Sequence, residues 1–118
     1  MIFIKRVYEP YKPSDGPRFL VDRLWPRGIR KEELHMDAWL KDLSPSNDLR
    51  QWFGHNPDNW VEFCKRYEIE LEENGKTWRP LLEIARRQDI TLIFCARDVT
   101  HNNAVVLRSF LITQLINN

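Results

Sequence analysis

Apolar positions along the chain fall into short blocks whose spacing changes from strand-like to helix-like and back. Ile2-Phe3-Ile4-Lys5-Arg6-Val7-Tyr8 is β-rich and short enough for one strand, and the 9–18 segment EPYKPSDGPR, with its prolines and glycine, predicts a turn-rich loop. Phe19-Leu20-Val21-Asp22 predicts a buried strand, with a short helix or turn over 30–35. Segment 37–43, DAWLKDL, alternates weakly and fits either a short edge strand or irregular chain. Ser46 is a good N-cap for a helix that carries Leu49, Trp52 and Phe53 on one face and ends at Gly54. Asn56-Pro57 starts a second helix, whose apolar stripe of Trp60, Phe63, Cys64, Tyr67 and Leu71 runs until Asn74-Gly75. A third runs from about Thr77 or Pro80 to Gln88, and Arg86-Arg87 suit its negative end. Residues 90–96, ITLIFCA, are continuously apolar, as expected for a strand covered on both faces by helices in a parallel sheet. A last helix opens near Asn102 and uses Ala104, Leu107, Leu111 and Leu115.

Strands joined through helical crossovers predict an α/β architecture: a single-domain layered fold over 1–118, with a small, mostly parallel sheet flanked by helices. Ligands of such sheets collect beyond the carboxyl ends of the strands. If the strands at 19–22 and 90–96 are parallel neighbours, the segments VDRLWPRG and CARDVTHNN leave the same edge and face one pocket.

With 42% apolar and 30% charged residues, a chain of 118 residues can build a core without metals or disulfides. Cys64 and Cys95 are too far apart for a local metal or redox spacing, and three scattered His add no ligand set, so neither metal nor cofactor is expected. No apolar stretch approaches the roughly 20 residues that span a bilayer, and no leader-like segment opens the chain. The expectation is a cytoplasmic protein without a membrane attachment.

The net charge of +1 conceals an asymmetry: residues 1–31 hold eight Lys/Arg against three Asp/Glu, the remainder ten against fourteen. A local positive field favours an anionic small molecule, such as a nucleotide or phosphorylated metabolite. Nucleic acid is less favoured, because the whole chain is far less basic than a dedicated binder. A non-catalytic module that binds nucleic acid or protein through the basic N-terminal third is the alternative.

Arg23, Arg27 and Arg97 are candidate anion ligands, since a guanidinium fork matches paired oxygens and keeps its charge. Pairing with Asp22, Asp15 or Asp98 is their competing role. Asp22, at a strand end, is a candidate general acid/base or only an orienter. His101 is a candidate proton carrier, and with Asn102 and Asn103 a candidate anion donor, although Thr and Asn there also suit plain helix capping. Trp25 is a candidate stacking wall, and the Trp25-Pro26 bond is open to the cis isomer. Cys95 reads as core, and the remaining tryptophans as core too. There is no Gly-rich phosphate loop and no nucleophilic serine elbow.

The segments KRVYEP, SDGPRFLVDRLWPRGIRKEEL, AWLKDLSPS with LRQWF, and LIFCARDVTHNNAVVL together resemble the YeaO-like branch of the uncharacterised domain-of-unknown-function family 488. The resemblance spans nearly the whole chain and implies a small bacterial cytoplasmic α/β protein of unestablished activity. It maps the family's polar positions onto Asp22, Arg23, Trp25, Pro26, Arg27 and Gly28, and onto Arg97 with Asn102. Where other branches carry a Cys-His-Arg run, this chain has Thr100-His101-Asn102. A thiol mechanism therefore does not carry over.

Overall fold

The computed structural model describes residues 1–117. Its sheet is built around the continuous apolar run. Strand β4 (Ile90–Phe94) is buried along its whole length and lies between β1 (Ile2–Arg6) and β2 (Arg18–Leu20). The two-residue β3 (Ala38–Trp39) closes the other edge, giving the order β1-β4-β2-β3 with every pairing parallel. The weakly alternating 37–43 segment is thus both things its pattern allowed: the edge strand, then a 3-10 turn over Lys41–Leu43.

Among the described residues four α-helices complete the fold: α1 (Asn47–Phe53), α2 (Trp60–Glu73), α3 (Gly75–Arg87) and α4 (Asn103–Ile116). Their ends follow the capping chemistry of the sequence. The Ser46 hydroxyl accepts the Leu49 N–H (3.2 Å), and Gly54 takes the left-handed conformation that ends α1. Asn56 caps a 3-10 turn over Pro57–Asn59 that leads straight into α2. Helix α3 begins at Gly75, ahead of the predicted start, because the Asn74 carbonyl accepts both the N–H (2.9 Å) and the hydroxyl (2.6 Å) of Thr77. Pro80 then sits inside the helix, near enough to its start that the missing N–H costs only a bond to the first turn.

Alternate side chains of β4 enter two different cores. Ile90, Leu92 and Phe94 join Ile2, Phe19, Val21 and the buried faces of all four helices. Ile93 joins Leu20, Val7 and Leu34 in a smaller core, with Trp25, Ile29, Met36, Trp39 and Cys95 packed against it. Among the described residues, none from a helix contributes to that second core. The expected double helical cover of β4 is therefore replaced: helices flank one face, and the 24–36 segment supplies its own apolar residues to close the other.

Toward the amino ends of the strands this second face turns polar. Asp15, buried, accepts Lys5 Nζ (3.0 Å) and Arg18 Nη1 (3.2 Å), while its carbonyl accepts the Thr91 hydroxyl (2.7 Å). Burial pushes the Asp15 carboxyl up, but Lys5, the Lys12 N–H and the Arg18 charge together hold it below the usual carboxylate range. Gly16 follows at φ +65°, and a Cβ added there would stand only 2.0 Å from the Asp89 carbonyl oxygen, so glycine is required on both counts. Together these contacts clamp the 9–17 loop to the sheet.

Candidate functional site

The loops after β2 and β4 do meet. The two strands are parallel neighbours in the register Phe19–Leu92 and Leu20–Ile93, so their carboxyl ends open on one edge. Beyond the last pair, the Val21 N–H reaches the Ile93 carbonyl (3.1 Å) and the Cys95 N–H donates to the Asp22 carboxylate (2.8 Å). Asn103, at the first position of α4, donates its amide to the Val21 carbonyl (2.9 Å), one residue from Asp22. Asp22 is thus the seam between the two walls. Burial pushes its carboxyl above the usual range, against the downward pull of the Cys95 N–H, the Asn103 amide and the charge of His55.

The predicted residues divide between the two sides of this seam. On the helix side, His101 Nδ1 lies 2.9 Å from the Asp98 carboxylate, and its ring stands edge-on to Trp60 at 5.1 Å. Asp98 also accepts the Thr100 N–H (3.0 Å), the Thr100 hydroxyl (2.9 Å) and the His101 N–H (3.0 Å). Led by the Thr100 N–H, these bonds hold the Asp98 carboxyl down at about 2. Arg23 donates Nε to the Pro45 carbonyl (3.0 Å). It pins the β2 loop to the approach of α1 and pairs with none of the acids that the sequence offered it.

On the opposite side stand Tyr8, Cys95, Arg27 and Arg97. The Tyr8 hydroxyl donates to the Arg27 carbonyl (3.1 Å) and lies 3.4 Å from Cys95 Sγ. Its contact with Cys95, then burial, pushes the phenol up, while the charges of Arg6 and Arg97 pull it down. Arg6 lies over the Tyr8 ring at 4.8 Å and bonds the Cys95 and Ala96 carbonyls (3.1 and 3.0 Å). Arg27 and Arg97 are both exposed, and neither guanidinium has a hydrogen bond or ion pair among the described residues.

Two predicted ligands are occupied elsewhere. Trp25 turns its ring onto Trp39 (5.5 Å, edge-on) in the smaller core and donates Nε1–H to the Ile29 carbonyl (2.7 Å), so the expected stacking wall is a core contact. The peptide bond that follows is trans. Asn102, 2% exposed, accepts the Val105 N–H (3.1 Å) and donates to the Asp98 carbonyl (2.9 Å). Both ends of its amide serve the α4 cap; its neighbour Asn103 is the amide that reaches the seam. Trp52, expected in the core, is 39% exposed beneath the Arg66 guanidinium, 4.2 Å from its ring centroid.

Nothing in the sequence pattern singles out Tyr8 or Arg6 for this edge. Tyr8 and Arg6 sit in an ordinary strand-end pattern, and only the parallel pairing of β1 with β4 brings them to Cys95. Two surface depressions lie away from the seam: one of about 380 Å³ lined by 32–36, the other of about 540 Å³ between α1 and α2. Among the described residues no group of three or more His, Cys, Asp or Glu could hold a metal ion, and no helix is long and apolar enough to cross a membrane.

The full chain, residues 1–118, matches a family model described as "Inactive DUF488-N3 subclade". It is 43% identical over 107 residues to the uncharacterised protein YeaO of Escherichia coli (strain K12), covering 91% of this chain and 93% of that one. It is 40% identical over 108 residues to the uncharacterised protein Rv3073c of Mycobacterium tuberculosis (strain ATCC 25618 / H37Rv), covering 92% and 91%. The same figures hold for the uncharacterised protein Mb3100c of Mycobacterium bovis. No solved structure matches the chain.

Proposed function

The chain belongs to the DUF488 family, whose relatives named above have no assigned activity, and from that premise we propose that it binds an anionic small molecule at the carboxyl edge of its sheet. One observation carries this reading: Arg27 and Arg97 project from the two loops as exposed guanidinium groups without partners among the described residues, with the Tyr8 hydroxyl on the Arg27 carbonyl and the Arg97 charge acting on that phenol. An exposed unpaired arginine keeps its full charge for a phosphate or carboxylate, and two on facing loops can engage one group bidentately. A nucleotide or phosphorylated metabolite meets that chemistry.

Asp22 and His101 are the candidate acid and base, and both are already bonded within the protein: Asp22 to the Cys95 N–H, His101 to Asp98. The word "inactive" in the subclade's description favours a sensor over an enzyme. The two free thiols, Cys64 and Cys95, suit a reducing cytoplasmic setting. A thermal-shift panel of AMP, glucose 6-phosphate and inorganic phosphate tests the reading. Selective stabilisation by at least one probe, lost in Arg27→Ala and in Arg97→Ala, supports it; indifference of the wild type to every probe removes it.

Exposed Leu24 (57%) and Val99 (54%), one on each loop, favour a macromolecular partner as the second reading. Binding to DNA or RNA would weaken steeply with salt, whereas a protein partner held by those apolar groups would not.

A further inference from the structure

Helix α1 sends Leu49 and Phe53 into the core but leaves Trp52, the third residue of the same apolar stripe, at the surface. On α2, Ile69 is 53% exposed. Both side chains line the depression of about 540 Å³ between the two helices, together with Leu49. A scattered exposed apolar residue needs no explanation, whereas a tryptophan and an isoleucine open to solvent in one groove mark a contact surface.

The groove is held in shape from both ends. The Glu70 carboxylate accepts the Ser46 N–H (2.8 Å) and the Ser46 hydroxyl (2.7 Å), tying the cap of α1 to α2. At the other end Phe53 stacks on Phe63 (4.3 Å). A partner therefore meets a preorganised surface and loses little affinity to ordering it. The depression is open rather than enclosed, so it does not bury a small molecule as a ligand cavity does. An amphipathic helix laid along a groove between two helices covers such a surface with its apolar face.

Charge selects the partner. Helices α1 and α2 carry six acids, Asp48, Glu62, Glu68, Glu70, Glu72 and Glu73, against three bases, Arg50, Lys65 and Arg66. Asp48 lines the groove, and Glu73 stands one turn beyond Ile69 and Glu70 on the same side of α2; neither carboxylate has a hydrogen bond or ion pair among the described residues. Arg66, the cation of the lining, is committed: its Nε donates to Glu62 (2.9 Å) and its guanidinium covers Trp52 (4.2 Å). We propose that the α1–α2 groove docks a basic amphipathic helix of another protein, whose apolar side chains cover Trp52 and Ile69 and whose lysines or arginines pair with Asp48 and Glu73. This surface lies away from the carboxyl edge, and the proposal is independent of anion binding there.

The test titrates the ¹⁵N-labelled full chain with a synthetic amphipathic helix of leucine and lysine and, separately, with its leucine–glutamate counterpart. With the lysine peptide alone, saturable shifts are expected at the Trp52 indole and at the amides of residues 46–53 and 62–73. Trp52→Ala should lower that affinity about tenfold or more, and the smaller change Ile69→Ala should lower it in the same direction. The double variant Asp48→Lys/Glu73→Lys, altered at exposed positions only, should reverse the preference between the two peptides. A Tm for each variant confirms that it folds. Failure of the lysine peptide to bind, equal binding of both peptides, or shifts spread over the acidic surface and retained in Trp52→Ala and Ile69→Ala overturns the proposal. Concentration-dependent shifts at the groove without peptide would assign it to a second copy of the chain and overturn the choice of partner.

Discussion

Two aspartates at the carboxyl edge are pushed in opposite directions, and their effects on stability have opposite signs. Asp98, on the surface with four donors around it, is held at about 2 and so stabilises the fold above the ordinary carboxylate range. That contribution is lost as pH falls from near 4 toward 2, and Asp98→Asn should flatten the acid limb of a Tm-versus-pH curve over that window. Asp22, raised by burial, behaves conversely: its contribution is present at low pH and is lost as pH rises through its folded-state midpoint. Asp22→Asn should therefore fare better relative to the wild type as pH rises above 4, staying within about 1 kcal/mol at pH 7 because the remaining amide oxygen can still accept the Cys95 N–H. Denaturant melts at several pH values check both signs. The sequence marks these residues as polar groups at strand and helix ends, but not their bonds. Trp25 shows the same limit: its composition suits a site wall or a core, and only the path of residues 24–36 over the sheet decides for the core.

Among the strands and helices, local chemistry was legible wherever a cap or a breaker declares itself. Ser46, Gly54, Asn56-Pro57 and Asn102 mark their helix boundaries in the sequence, and the apolar run at 90–96 marks the central strand. What covers each face was not legible. Helical periodicity identifies a helix's buried side, whereas the 24–36 and 9–17 segments pack through scattered residues without a period. Asp15 illustrates this, reading as a turn residue in a loop of prolines and yet serving as the buried clamp between Lys5 and Arg18. Asp15→Asn should cost about 3 kcal/mol or more, because it leaves the buried Arg18 without its counter-charge. Gly16→Ala should cost about 2 kcal/mol or more, from the left-handed backbone and the collision with the Asp89 carbonyl. Chemical denaturation measures both, and values within about 0.5 kcal/mol of the wild type would refute the clamp.

For the molecule as a whole, parallel pairing converts residues far apart in sequence into one edge. The order β1-β4-β2-β3 sets Tyr8, Cys95 and Asp22 side by side at three adjacent strand ends, with α4 and the first turn of α2 on the helix side. That two loops would share an edge followed from the strand pattern; that Asp22 would join them, and that the Arg27 and Arg97 guanidinium groups would stay without partners among the described residues, required the packing. The most direct measurement is an AMP titration followed by ¹⁵N NMR of the backbone amides. Saturable shifts confined to Tyr8, residues 22–30 and residues 95–103, and abolished in Arg97→Ala, are the predicted result. No saturable shifts, or shifts centred on the depression between α1 and α2 and retained in Arg97→Ala, would contradict it.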